Sequence, residues 1–523
     1  MNTWVKAVLA GLVGACAFPL VLSSWGSQPL LDGLPREIAM VVCALMLYRL
    51  TVAKSSLRRR VWLGGVAGVA HFAVLLYWID IAMVRFGGMP QWQALPVLAL
   101  LVGFCAAHWA LLAPMVALLR RHVRLPPSIL FACAVVVGEW LRSVLLSGFP
   151  WGLWGYSQTR NLVVAHLAAF GGVYLVSFFV AWVSAALSEY LAARHTPRAM
   201  RAGATLAFGL IAGCGLGWLH MQGVAPDVAE DGRRVAILQG NIAQSIKNRS
   251  THHRAEIIET YLPLAQQAGD AGVQLTVWPE AAWPSPVPLL SNRGRITEIS
   301  WAPGNHLVGA ETYYPNGARH LFNSALWLDD KGTVVDVYHK RHLVPFGEYV
   351  PARWLLPVSK LVSGMVDFAP GVRDDPIGPY AVGMLICYDG VFPQLAARSV
   401  AAGAKLLVNA TNDGWYGTSS GPFQHLDFYV MRAIETERWV VRAANNGISA
   451  FITPLGQVQE RTALHARTVL LGRPFLRTQR TPYVAAGDWF LAVCLGLFVG
   501  ALARGLALWA GPRLRAVCRN RSA

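Results

Sequence analysis

The sequence predicts a polytopic α-helical membrane domain of about eight spans joined to a water-exposed, layered α/β domain. Three observations lead there. The apolar residues, 54% of 523, crowd into residues 1–222 and one block near the C-terminus. Basic residues concentrate in alternate loops between the apolar runs. Beyond Arg234, short strand-like runs alternate with segments of helical spacing.

A window of about 19 residues finds stretches able to cross a hydrocarbon core of roughly 30 Å. They lie near residues 7–23, 37–53, 61–83, 93–119, 126–147, 162–190 and 203–221, with an eighth near 488–510. The first follows Lys6 but has no small-residue cleavage site behind it, so it is expected to stay as a signal anchor. Lys54 with Arg58 to Arg60, then Arg120, Arg121 and Arg124, then Arg194, Arg198 and Arg201 follow even-numbered spans, and Arg513, Arg515, Arg519 and Arg521 follow the last. The other loops carry about one basic residue each: Arg36, Arg85 and Arg160. By the positive-inside rule both termini are cytoplasmic and the soluble domain is outside. The net charge of +17 is explained by this topology, and no nucleic-acid partner is expected. A transporter is disfavoured because the spans hold few ionisable residues, chiefly Asp80 and Glu139.

In the exported domain, residues 234–242, 275–280, 306–313, 324–330, 334–340, 382–388, 406–413 and 447–456 read as strands. Residues 252–268, 392–404 and 424–444 read as helices. Buried strands interleaved with helices favour a layered sheet fold with chemistry at the strand ends. Three strands end in reactive side chains: Glu280 after LTVW, Lys340 after VVDVYH and Cys387 after VGMLI. Of eight cysteines, Cys387 alone falls in the exported domain, so it has no partner for an intramolecular disulfide. A thiol with pKa near about 8.5 needs a base or a cation to attack a carbonyl at neutral pH. Glu280 is suited to take its proton, and Lys340 to stabilise the oxyanion, with the backbone N–H of Tyr388 as a second donor.

VWPEAAWP around Glu280, YHKRHLVPFGEYVP around Lys340 and LICYDGVFP around Cys387 resemble the Glu-Lys-Cys triad segments of the nitrilase superfamily. GEWLRS (138–143), SGFPWGLWGYSQ (147–158), HLVPFGEYVP and NATNDGWYGTSSGPFQH (409–425) resemble, more narrowly, its membrane-bound branch, the apolipoprotein N-acyltransferases, as does the whole layout. The resemblance implies an αββα sandwich at residues 232–475, between a seven-span membrane domain at 1–222 and a final span with a basic tail at 486–523. It implies a multi-pass enzyme of the bacterial inner membrane, with its catalytic domain periplasmic. The implied reaction is ping-pong: Cys387 takes an acyl chain from a phospholipid as a thioester and passes it to the α-amine of a diacylglyceryl apolipoprotein. The protein would act as a monomer, with no cofactor and no metal.

Carried over by position, Glu280 is the general base, Lys340 the oxyanion-stabilising residue, Cys387 the nucleophile and Glu348 a supporting carboxylate. Tyr388, Asp389, Trp415 and Tyr416 match positions around the nucleophile or the acyl pocket, and His425 a structural histidine. Two departures stand out. Asp389-Gly390 replaces the usual Glu and a bulkier residue, and Ala243 and Asn248 replace the usual Pro and Trp in QGNIAQSIKNRS. They leave open a paralogous acyltransferase or amidase with the same triad and a different acceptor.

Overall fold

The computed structural model describes residues 2–21, 29, 36–289, 294–299, 302–315, 320–351 and 367–521, with side chains up to residue 510. The chain begins with α1 (Thr3–Ala15), α2 (Arg36–Val52), α3 (Leu57–Leu75) and the short α4 (Ile79–Ile81), which runs into a wide π-turn at Ala82–Phe86. It continues through α5 (Gln91–His122), α6 (Pro127–Val144), the short α7 (Leu162–Ala165), α8 (Ala168–Ala193) and α9 (Ala199–Gly223).

Five helices among the described residues are long and apolar enough to cross a membrane: α5, α6, α8, α9 and the C-terminal α15 (Trp489–Arg521), the last counted over Trp489–Ala510. The expected span at 61–83 is instead a broken one, α3 and the segment Ile79–Phe86 meeting at 55°. α1 with 13 residues and α2 with 17 reach only about 20 and 26 Å at 1.5 Å per residue, short of a full core. The expected span at 162–190 starts later, at Ala168, because the chain first makes α7. Residues 22 and 23 of the first expected span lie outside the described residues, as do the side chains of Arg513, Arg515, Arg519 and Arg521.

The second domain opens with β1 (Val235–Gln239), α10 (Gln244–Lys247), α11 (Arg254–Asp270), β2 (Leu275–Val277), β3 (Val287–Pro288), β4 (Asn305–Tyr313), β5 (Leu321–Leu328) and β6 (Val334–His339). It continues with β7 (Val382–Ile386), α12 (Pro393–Ala401), β8 (Leu406–Thr411), α13 (Gly421–Thr436), β9 (Val440–Ala444), β10 (Ala450–Ile452), β11 (Val458–Arg461) and β12 (Thr468–Gly472). The short α14 (Pro482–Ala486) leads into α15.

Two mixed sheets result, ordered β12-β1-β2-β4-β5-β6, with β3 beside β4, and β11-β10-β9-β8-β7. The pairs β1–β2, β2–β4, β7–β8 and β8–β9 are parallel, and antiparallel strands extend both sheets to their edges except at β7, which ends the second sheet as a parallel strand. The central strands are apolar on both faces because both are covered. Alternation along β7 shows how: Met384 and Ile386 face Ile237, Val277 and Trp327 across the sandwich, whereas Leu385 points the other way. α11 covers the first sheet with Ile257, Tyr261 and Ala265. α12 and α13 cover the second, completing αββα.

The expected helix at 424–444 ends early. Thr436 closes α13, Glu437 turns left-handed at φ +52, and the β-branched pair Val440-Val441 enters β9. β11 and β12 were not expected: both are edge strands with little full burial, so their apolar signal is weak.

The cluster that buries α13 runs without a break into the membrane helices, through residues such as Leu75, Trp151 and Val176. Gln424 fastens this junction. Its Oε1 accepts from the indoles of Trp78 (3.0 Å) and Trp151 (2.7 Å), and its Nε2 donates to the carbonyls of Pro19 (3.1 Å) and Leu75 (3.3 Å). The Leu75 carbonyl ends α3, so Gln424 satisfies an acceptor that the break in the helix exposes.

Candidate active site

Glu280, Lys340 and Cys387 come from different strand ends, β2, β6 and β7, and meet at one end of the sandwich. The Glu280 carboxylate is buried and fully engaged. Its Oε1 accepts from Lys340 Nζ at 3.2 Å and Asn323 Nδ2 at 2.8 Å, and its Oε2 from the Asn412 backbone at 2.9 Å. Lys340 also donates to Glu348 Oε1 at 2.9 Å, and the other Glu348 oxygen accepts from the Val344 backbone at 2.7 Å. Glu348 therefore braces the lysine. Asn323 Nδ2 also reaches Glu348 Oε1 at 2.8 Å, so one amide bridges both carboxylates and fixes its own orientation, while its Oδ1 is buried without a partner.

Electrostatics follow from this packing. Burial works against the Lys340 ammonium, but Glu280 and Glu348 outweigh it and hold its pKa well above the ordinary value. Burial likewise works against the Glu280 carboxylate, yet Lys340, Asn323 and Lys247 keep its pKa below the usual range. Cys387 goes the other way. Burial, and then the Glu280 charge, push its thiol up to about 12, which Lys340 only partly offsets. The Cys387 thiol is therefore protonated beside an ionised Glu280 carboxylate.

The sharp turn after β7 is built around Cys387, whose φ of +45° is left-handed and costs a non-glycine residue about 1–3 kcal/mol. Its carbonyl accepts from Tyr429 Oη at 2.8 Å and lies 3.4 Å from His425 Nε2. His425 pairs with Asp413 at 2.9 Å, and Asp413 with Arg442 at 2.6 Å. Asp389 lies beneath the turn, fully buried. Its Oδ2 accepts from the Ile386 backbone (3.0 Å) and Tyr338 Oη (2.9 Å), its Oδ1 from the His342 backbone (2.7 Å). Gly390 is required by a neighbour: a Cβ there would sit 2.1 Å from Tyr429 Oη. Asp389 and Gly390, the two departures noted in the sequence, thus shape the turn that carries Cys387.

Tyr388 sends its hydroxyl to the Gly148 carbonyl at 3.1 Å, linking the turn to the loop after α6. Tyr416 packs edge-on to Trp78 (4.6 Å between centroids), Trp151 and His425. Trp415, only partly covered, meets the Phe86 ring edge-on at 6.4 Å. Both aromatics lie at the junction with the broken span. Asn248, where the family has Trp, is exposed and donates to the Phe86 carbonyl at 3.4 Å.

Sequence reasoning missed Asn323, Asn412 and Lys247. Asn323 opens the SALWL run, just outside the residues read as a strand, and its polarity beside that run was the available signal. Among the described residues no three His, Cys, Asp or Glu side chains gather as a metal ion would require.

The sequence matches the family model of the apolipoprotein N-acyltransferase N-terminal domain over residues 10–186 and that of carbon-nitrogen hydrolases over residues 234–473. It is similar to the apolipoprotein N-acyltransferase of Geobacter metallireducens, 36% identical over 94% of this chain and 93% of that one. The enzyme of the same name from Pseudomonas putida is 33% identical over 91% of this chain and 94% of its own. Among solved structures, an amidase from a Nesterenkonia species is similar at 18% identity and a TM-score of 0.35, covering 51% of this chain and 98% of that one.

Proposed function

The chain belongs to the apolipoprotein N-acyltransferase family and is a bacterial membrane acyltransferase of lipoprotein N-acylation; from that premise we propose that it works through a thioester on Cys387. The donor is a phospholipid and the acceptor the α-amine of a diacylglyceryl-cysteine at an apolipoprotein N-terminus. Residues 1–222 form the membrane domain, 232–475 the catalytic domain, and 486–523 a final span with its basic tail. The catalytic domain faces the periplasm of the inner membrane and both termini the cytoplasm, as the loop arginines suggest.

In the first half-reaction Glu280 takes the thiol proton as sulfur attacks the ester carbonyl. The oxyanion is met by Lys340 and the Tyr388 N–H. A lysine has three N–H groups, and two are used on Glu280 and Glu348, so one is available. The ester C–O bond breaks, Glu280 returns the proton to the glycerol oxygen, and a lysophospholipid leaves. In the second half-reaction the α-amine attacks the thioester and Glu280 takes its proton. The C–S bond breaks, and the proton passes to sulfur, restoring the thiol.

The observation that carries this reading is the ionised Glu280, 3.2 Å from Lys340, beside a protonated Cys387 in a strained turn. Asp389 supports the same reading: its oxygens are spent on the turn, so its shortened side chain gives no reason to assign a different acceptor. The test is purified enzyme with phospholipid and a diacylglyceryl lipopeptide, followed by mass spectrometry of both. Wild type gives an acyl-enzyme and a triacylated peptide, and Cys387→Ala gives neither. A Cys387→Ala variant that still acylates the peptide refutes the mechanism.

A further inference from the structure

One lysine near the site takes no part in the mechanism above. Lys247 ends α10, and its ammonium donates to the backbone carbonyls of Glu280 (2.9 Å) and Ala281 (2.8 Å), whereas Lys340 holds the Glu280 carboxylate. The turn it grips needs holding. Ala281 has φ +46°, a left-handed conformation that a residue with a Cβ seldom adopts. The turn also lies close against β4, where a Cβ on Gly309 would come within 2.1 Å of the Pro279 carbonyl. Glu280 therefore sits on a strained backbone that packs on a glycine and is held by a lysine.

The same short helix reaches the other end of the base. Gln244 Oε1 accepts from Asn412 Nδ2 at 2.8 Å, and the Asn412 backbone N–H is the donor to Glu280 Oε2 at 2.9 Å. α10 thus holds Glu280 twice, by its main chain through Lys247 and by its carboxylate through Asn412.

We propose that Lys247 is a positioning residue of the acyl transfer: it pins the Glu280–Ala281 turn so that the carboxylate is aimed at Cys387, and its positive charge favours the ionised base. This rests on Glu280 being the base. The titratable groups facing Lys247 are Glu280 and, from β4, Glu311; those facing the Glu280 carboxylate are Lys340 after β6, with Glu348 behind it, and the neutral Cys387 thiol after β7. Burial draws the Lys247 ammonium down to about 8, against the pull of Glu280 and Glu311, so the charge is present at neutral pH. Burial pushes the Glu311 carboxyl up, and Lys247 opposes this.

The experiment measures thioester formation from phospholipid by intact-protein mass spectrometry from pH 4 to 8, on full-length wild type, Lys247→Met, Lys247→Arg and Glu280→Gln in detergent. A base displaced by a fraction of an ångström to 1 Å predicts that Lys247→Met slows acylation by about 100-fold at saturating phospholipid, with little change in KM. Loss of a nearby unit charge at an effective dielectric of about 20 predicts that the acid limb of its rate profile moves up by about one pH unit. Lys247→Arg, which keeps charge and donors, recovers most of the rate and leaves the limb in place. A lysine serving only stability would lower the fraction of enzyme that acylates without moving the limb. If Lys247→Met does not accumulate, Lys247→Gln carries the same predictions, since it too loses the charge. A wild-type rate or an unmoved limb in either uncharged variant overturns the proposal. Glu280→Gln acylating at the wild-type rate instead overturns the reading of Glu280 as base.

Discussion

Replacing Asp389 by alanine tests whether the turn at Cys387 is held as the structure indicates. The carboxylate is fully buried and accepts from the Ile386 N–H at 3.0 Å, the Tyr338 hydroxyl at 2.9 Å and the His342 N–H at 2.7 Å. All three donors lose their carboxylate acceptor inside the fold. At about 1.5–3 kcal/mol for each bond to a charged group, and with some repair by entering water, the loss comes to about 4–6 kcal/mol. At roughly 2 °C per kcal/mol for a large domain, thermal unfolding in detergent should begin about 10 °C lower. Cys387 should suffer a second effect. Its left-handed backbone follows directly on Ile386, so the turn relaxes and the sulfur moves, which predicts acylation slower by about 100-fold at temperatures where the variant is folded. Asp389→Asn, which keeps the volume and one accepting oxygen, should fall between. An alanine variant that unfolds within about 3 °C of wild type and acylates at its rate would refute the reasoning.

Two further outcomes follow from the same geometry. Because burial and Glu280 push the Cys387 thiol up to about 12, its thiolate fraction grows with pH throughout the accessible range. Alkylation by iodoacetamide without substrate should therefore accelerate by about tenfold per pH unit from 7 to 10, and a plateau below pH 9 would mean a resting thiolate. Gln424→Leu removes the acceptor for two buried indole N–H groups and the donor to two carbonyls. At about 1–3 kcal/mol for each of the two unsatisfied indoles, it should cost about 2–6 kcal/mol in a detergent unfolding assay. A loss under about 1 kcal/mol would show that water replaces the amide there.

The reactive side chains were legible in the sequence because strand ends are local features. An apolar run that stops at Glu280, Lys340 or Cys387 states that the residue lies where a strand ends. What the sequence did not carry was direction. Asp389 could be placed next to the nucleophile, but whether it faced substrate or the fold depended on Tyr338 and His342, which arrive from β6 and the segment after it. Asn323 and Lys247 escaped notice for the same reason, since each acts on a residue far along the chain. In the membrane part, hydropathy located the helices but not the break between Leu75 and Ile79, since a broken span is as apolar as a straight one. The helix expected through residue 444 failed where Val440 and Val441 pair with β8 on one side and β10 on the other, long-range pairings that outweigh the local pattern.

The way α13 is shared bears on how this protein can be handled. Composition invites a cut near residue 230 to release the α/β domain as a soluble enzyme. Such a fragment would keep Glu280, Lys340 and Cys387, yet it would expose Phe423, Leu426, Phe428 and Val430, along with the Arg432–Glu435 pair whose carboxylate accepts from the Val173 backbone. A bare apolar helix over the back of a catalytic sheet is an aggregation surface. The smallest unit expected to fold and react therefore includes the helices in the bilayer, and a soluble version would need the outer face of α13 redesigned first.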